Sequence, residues 1–260
     1  PRPSGALVGN LVEAGVGALD LWTVSAAGSP ARLMAGDIGY GREGLEFSVI
    51  EKGVPPKRLA TGLIGQYNVD NLLGVLGTLR ALGLSLGDAV DACRQLSSVP
   101  GRMERISVPG HPLAVVDYAH TPDALDKALT GLRPLAQQRG GKLWCLFGCG
   151  GDRDAVKRPL MAAVAEAGAD RLVITSDNPR GEKPAAIVSQ VMLGLADPDA
   201  AQVEIDRARA IAETLAQAAP EDVVLLAGRG HEAWQEIAGE RIAFSDRAHA
   251  IDALTRRSAA

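Results

Sequence analysis

Leu45, Phe47 and Val49 alternate with Glu46 and Ser48, the period-two pattern of a strand with one buried face. Gly36, Gly39, Gly41 and Gly44 punctuate the residues before it, which predicts hairpin loops there. Further on the period changes. Leu72, Leu73, Leu76, Leu79 and Leu82 recur at helical spacing, with Asn68 or Asp70 set to cap the helix. A second helix is predicted from Leu86 to Leu96. The polar stretch Ser97-Ser98-Val99-Pro100-Gly101 then predicts a domain boundary, dividing residues 1–99 from residues 100–260.

Beyond residue 100, short apolar runs stand at Leu113–Val116, Leu143–Phe147, Leu172–Thr175 and Val223–Ala227. Amphipathic helices separate them, carrying Leu125, Ala128, Leu129 and Leu132, then Ile187, Val188, Val191, Met192 and Leu195, then Ala208, Ile211, Ala212 and Leu215. Such runs, alternating with helices, predict an α/β fold around a mostly parallel, doubly wound sheet. Ala238-Gly239-Glu240 predicts a hairpin turn before a last helix from about Asp246.

Composition narrows the function. The net charge is −4 and no Lys/Arg-rich block occurs, which argues against a grip on nucleic acid. No apolar run approaches the roughly 18 residues of a membrane span. Cys93, Cys145 and Cys149 are an odd set, no disulfide framework and no zinc knuckle, so they are expected to be packing residues of a cytoplasmic protein. The chain begins Pro1-Arg2-Pro3 with no initiator Met, so it is expected to be a piece of a longer protein.

In doubly wound sheets ligands sit beyond the carboxyl ends of the strands. Here those ends read Asp117-Tyr118-Ala119-His120-Thr121-Pro122, Gly148-Cys149-Gly150-Gly151-Asp152-Arg153-Asp154, Ser176-Asp177-Asn178-Pro179-Arg180 and Gly228-Arg229-Gly230-His231-Glu232. All four carry charge and all four are expected on one side. Pro179 stiffens a corner presenting a carboxylate, an amide and a guanidinium within four residues. That set suits an amino acid, with Arg forking onto a carboxylate and an acid receiving an ammonium; the alternative is an Asx-turn with a solvated Arg. Asp117 either accepts hydrogen bonds from a ribose or caps the helix starting near Pro122. His120 is given no catalytic role. Gly228–Ala233 matches G-x-G-x-x-A, a weak dinucleotide signal in this position, and no P-loop or G-x-S-x-G elbow occurs.

Taken in order, these loops together with Gly101-Arg102-Met103-Glu104 resemble the Mur ligases of peptidoglycan synthesis, and among them the branch that adds meso-diaminopimelate. The likeness runs from about residue 45 to 250. Folylpolyglutamate synthase shares the architecture, but Asp177-Asn178-Pro179-Arg180 argues against it. The resemblance implies that residues 1–99 are the latter part of a P-loop-type central ATPase domain. Residues 100–260 would be the Rossmann-like C-terminal domain, with the P-loop and a carbamylated lysine upstream. It further implies an ATP site at Asn68, Asn71, Arg102 and Asp117, and a diaminopimelate site at Arg153, Asp177, Asn178, Pro179, Arg180, Gly228 and Glu232. Two positions depart from the family: Arg229 stands where Lys is usual, and Gly181 where Thr or Ser is common.

The activity implied is ATP-driven amide formation with Mg²⁺ on the phosphates, the acceptor being UDP-N-acetylmuramoyl-L-alanyl-D-glutamate. The piece alone is expected to be inactive, its share being to orient the incoming amino acid. The rival readings are a lysine-adding ligase of the same family, a Rossmann-type nucleotide-binding module using Gly228–Ala233, and a non-catalytic partner-binding domain.

Overall fold

The computed structural model describes residues 20–41 and 44–258 and divides the chain into two units. Among described residues the first unit takes in 20–39, Glu46–Leu59 and Val69–Gln95; the second takes in Tyr40–Leu45 apart from 42 and 43, Ala60–Asn68, and Leu96 onward.

The first unit is built on a sheet in the order β1 (Val24–Ser25), β2 (Leu33–Tyr40), β3 (Leu45–Glu51) and β4 (Val54–Ala60). In β3 burial alternates residue by residue, the buried set being Leu45, Phe47, Val49 and Glu51. Gly36 and Gly39 are not loop residues, contrary to expectation: both lie inside β2. At Gly36 a Cβ would come 3.0 Å from Ile50 Cδ1, so the glycine answers crowding between strands rather than a turn.

Helix α1 runs Tyr67–Ala81, buries Leu72, Leu73 and Leu76, and ends before the exposed Leu82. Asn68 and Asp70 sit in its first turn, not at its cap. Asn68 holds the Ile64 carbonyl through Nδ2 (2.6 Å), and Asp70 complements the helix dipole. Helix α2, Leu86–Arg94, stops short of Leu96 and starts on Ser85, whose Oγ accepts from Asp88 N (3.1 Å).

The second unit holds a six-stranded sheet in the order β5 (Glu104–Ile106), β6 (Leu113–Asp117), β10 (Val223–Ala227), β7 (Leu143–Phe147), β8 (Arg171–Ile174) and β9 (Ala201–Val203). Only β5 runs antiparallel; β6, β10, β7, β8 and β9 are parallel neighbours. Register pairs Val223 with Leu113 and with Leu143, so the central strands end nearly level. They read as continuous apolar runs because both faces are covered. On one face Val115, Cys145, Phe147 and Leu225 pack against α3 (Pro122–Arg139), α4 (Lys157–Gly168) and α5 (Pro184–Met192). On the other, Val116, Trp144, Leu146 and Leu226 pack against α6 (Arg207–Gln217) and α7 (Asp246–Ser258). The sheet is doubly wound, and Cys145 in β7, Cys149 just beyond it and Cys93 in α2 are all buried and free. Among the described residues no helix is long and apolar enough to cross a membrane.

Thr121, not Asp117, caps α3: its side chain accepts from Ala124 N, with Pro122 in the first turn and Gly140 closing the helix at φ 72°. The hairpin β11 (Trp234–Ile237) and β12 (Glu240–Ala243) turns through Ala238 (φ 51°) and Gly239 (φ 82°), as a tight two-residue connection requires.

A buried ion pair joins α6 to α7. Arg207 donates to Asp246 through Nε (2.8 Å) and Nη2 (2.7 Å), with both side chains wholly buried. Arg207 also donates to Ser176 O (3.1 Å), just beyond β8, and to Ala227 O (2.9 Å), the last residue of β10. Burial alone would push this guanidinium down; Asp246 beside it holds it above its ordinary value. Asp246→Ala strands the cation in the core and is expected to destabilise the protein by about 3–5 kcal/mol, read by urea denaturation; a loss below about 1 kcal/mol would contradict this role.

Candidate functional site

The strand tips converge on a cavity of about 480 Å³ in the second unit, lined among others by Arg153, Asp177, Asn178, Arg180, Gly228 and Glu232. Six of the seven residues expected to hold an amino acid therefore share one space. Pro179 does not line it. It is buried, and its carbonyl accepts from Glu182 N (3.0 Å), so it shapes the corner without facing the cavity.

Two loops form most of the wall and are clasped to each other. Gly151 N donates to Asn178 O (2.9 Å), and Arg180 Nη1 donates to Gly151 O (2.8 Å). Gly181 N donates to Asp152 Oδ2 (2.9 Å), and Asp152 N to Glu182 Oε1 (2.7 Å). Arg158, 1% exposed, closes the arrangement from below through Glu182 (2.8 and 3.0 Å) and Gly150 O (3.0 Å). Approach is close enough that a Cβ on Gly151 would lie 2.0 Å from Pro179 O. Asp152 and Arg180 both take positive φ, 51° and 50°, a left-handed conformation costly for side-chain-bearing residues and held here by the clasp.

Arg180 is also fastened to the hairpin: its N donates to Glu236 O (3.0 Å) and its O accepts from Ala238 N (2.7 Å). Glu236 Oε2 lies 3.9 Å from its Nε. Gly228 follows β10 at φ 111°, and a Cβ there would stand 3.0 Å from Asp177 Oδ2, so only glycine leaves that carboxylate its place. Charge in the lining is mixed: Arg153, Lys157 and Arg180 against Asp154, Asp177 and Glu232.

Sequence reasoning missed Lys157 and Trp234. Lys157 donates to His120 O (2.8 Å), and Trp234 carries Arg241 over its ring at 4.1 Å. Both follow a charged loop by only a few residues, which was the available signal. Tyr118 and His120 also line the cavity, with their rings 4.7 Å apart and His120 Nδ1 2.8 Å from Tyr118 O.

A second cavity of the same unit, about 550 Å³, is lined by Tyr67, Arg102, Met103, Asp117, Lys127 and Gly131 among others. Asp117 accepts from Met103 N (2.8 Å) and Ala119 N (2.9 Å). Burial pushes its carboxyl up, against those two N–H groups and Arg102. A carboxylate has about four acceptor sites, so Asp117 keeps capacity for a ligand hydroxyl. Arg102 stacks over Tyr118 at 4.8 Å. Neither expected asparagine lines this cavity. Asn68 stands next to Tyr67, which does, while Asn71 is exposed on α1 in the first unit.

The sequence profile described as "Mur ligase, glutamate ligase domain" matches residues 101–230. The chain belongs to the Mur ligase family. It is 56% identical over 239 residues to a UDP-N-acetylmuramoyl-L-alanyl-D-glutamate–2,6-diaminopimelate ligase from Acidovorax sp. (strain JS42), covering 92% of this chain and 47% of that protein. A protein of the same name from Pseudomonas aeruginosa is 48% identical, with 90% and 47% covered. A solved structure bearing that name superposes with a TM-score of 0.78 at 34% identity, covering 98% of this chain and 52% of the other. Folylpolyglutamate synthase from Thermotoga maritima, at TM-score 0.57 and 18% identity, shares the fold. This Mur ligase chain spans about half the length of the curated relatives it matches.

Within the clasp, hydrogen bonds from Arg158 and then from Asp152 N hold the Glu182 carboxyl below the usual glutamate range. Its contribution is therefore complete above an ordinary value of about 4.3 and is lost as pH falls through the depressed one. A side-chain ¹³C titration of Glu182 is expected to give a midpoint below that value; a midpoint at or above it would contradict the clasp.

Proposed function

We propose that this chain supplies the amino-acid-receiving part of an ATP-dependent amide ligase that adds meso-diaminopimelate to UDP-N-acetylmuramoyl-L-alanyl-D-glutamate. The observation that carries the reading is the cavity itself: Arg153 and Arg180, with Asp177, Asn178 and Glu232, face one space of about 480 Å³. Meso-diaminopimelate has two carboxylates and two ammonium groups, and this lining offers partners for both kinds. The names of the related proteins support the same substrate.

In this reading Arg180 takes the distal carboxylate. Its guanidinium is already held against Gly151 O and its backbone is pinned to the hairpin, so little freedom remains to be lost on binding. Arg153 takes the other carboxylate, while Asp177, Asn178 and Glu232 form the polar end. ATP belongs to the second cavity, Asp117 accepting from a ribose hydroxyl and Arg102 approaching the nucleotide, with Asn68 near the base. Among the described residues no three His, Cys, Asp or Glu side chains gather to hold a metal, so no residue here is assigned to Mg²⁺.

The reaction transfers the γ-phosphoryl group of ATP to the D-glutamyl γ-carboxylate, giving an acyl phosphate and ADP. The free amine of diaminopimelate attacks that carbonyl. The C–N bond forms as the C–O bond to phosphate breaks, phosphate leaves and the amine releases a proton. What these residues contribute is orientation, which makes a bimolecular encounter effectively unimolecular. In the full-length enzyme Arg180→Ala is expected to raise the diaminopimelate KM by about 10²-fold or more while the ATP KM changes less than about twofold, measured by phosphate release. Equal effects on both would remove Arg180 from the amino-acid site.

A further inference from the structure

Arg229 has no exposed surface, touches Asp177 and Glu232 of the cavity lining without lining it itself, and is not among the residues expected to touch a ligand. Its Nη1 donates to Asn178 Oδ1 (3.0 Å) and reaches Asp177 Oδ1 (3.3 Å), with Glu232 Oε2 at 3.6 Å. Its Nη2 donates to Trp234 O. Burial and the neighbouring Arg207 cation push this guanidinium below its ordinary value, opposed by Asp177, Asp246 and Glu232.

The consequence falls on the Asn178 amide. Two groups that can only donate, Arg229 Nη1 and Glu236 N (2.9 Å), both meet one end of it. A carboxylate that can only accept, Glu232 Oε2, meets the other end at 2.8 Å. One orientation satisfies all three: Oδ1 toward Arg229 and Glu236, Nδ2 toward Glu232. Asn178 is 3% exposed and lines the cavity, so the amino group that bonds Glu232 has one further N–H for a ligand.

We propose that Arg229 is a positioning residue for the amino-acid site: it locks the Asn178 amide with its donor end beside Glu232, so that the pair presents one N–H and one carboxylate to the α-amino-acid head of the substrate. This rests on the reading of the cavity as an amino-acid site. Arg229 is too buried to meet the substrate and acts through Asn178 and Glu232. An amide turned the other way would set Oδ1 against the Glu232 carboxylate and leave two buried donors facing an NH₂ group.

The test uses the full-length ligase and phosphate release. Arg229→Gln is expected to raise the amino-acid KM about 30-fold with the ATP KM within about twofold, and Arg229→Lys, which keeps a buried cation, to stay within about threefold of the parent. Added to Asn178→Ala, Arg229→Gln is expected to raise that KM less than about twofold further, because the group it orients is already gone. An undiminished effect in the Asn178→Ala background, or equal shifts in both KM values, would overturn the proposal. Should Arg229→Gln fail to fold, Asn178→Asp decides. It keeps the acceptors facing Arg229 and Glu236 but replaces the donor, and is expected to lose at least as much affinity as Asn178→Ala, whereas retained affinity contradicts the orientation. A parent enzyme that turns over with another amino acid and not diaminopimelate would refute the substrate reading alone, and the Arg229–Asn178 cycle is then read with the amino acid that works.

Discussion

Three arginines with almost no exposed surface, Arg158, Arg207 and Arg229, hold the backbone beyond the central strands. Each is a cation removed from water, a costly arrangement unless carboxylates and carbonyls surround it. Arg207 finds Asp246, Ser176 O and Ala227 O; Arg158 finds Glu182 and Gly150 O; Arg229 finds Asn178, Asp177 and Trp234 O. Every one of them ties a strand-tip loop to something outside that loop. The tips are thereby fixed in relation to one another by groups that never face the cavity.

That division of labour explains the character of the site. Loops that cover a sheet edge are ordinarily the mobile parts of a domain. Here they are stitched through Gly151 N, Asp152 N, Gly181 N and Arg180 N, and two residues sit at positive φ because the stitches demand it. Arg153, Arg180, Asp177 and Glu232 give the cavity a lining of mixed charge. In general a rigid polar cavity discriminates between ligands by what the wrong one leaves unpaired, rather than by fit alone.

Much of this was legible in the sequence. Four apolar runs with charged residues at their ends placed the parallel core of the sheet and the side on which the strand-tip loops form a cavity. Arg153, Asp177, Asn178, Arg180 and Glu232 were expected on one side because each lies in a loop after one of those runs, and they line one cavity. What was not legible depended on partners far along the chain. Gly36 read as a loop glycine because its role, relief of crowding near Ile50, belongs to a neighbouring strand, and Gly39, also inside β2, has no neighbour that requires a glycine. Asp117 read equally as a helix cap, and only the position of Met103 N, fourteen residues away, shows what its second oxygen does. Arg229 read only as part of a charged loop and as a departure from the usual Lys, and Arg158 was not singled out, since nothing local marks a cation as buried. Lys157 and Trp234 join the lining through the path of α4 and of the hairpin, which short-range patterns do not specify.

The proposed function requires that Arg153 and Arg180 be held in one cradle for a two-headed, doubly charged amino acid. Lysine is the discriminating probe, because it differs from diaminopimelate by the distal carboxylate alone and would leave the Arg180 guanidinium without its partner. Comparing kcat/KM for meso-diaminopimelate and lysine in the full-length enzyme tests this directly. A preference for diaminopimelate of about 10³-fold or more is predicted; comparable values for the two amino acids would contradict it.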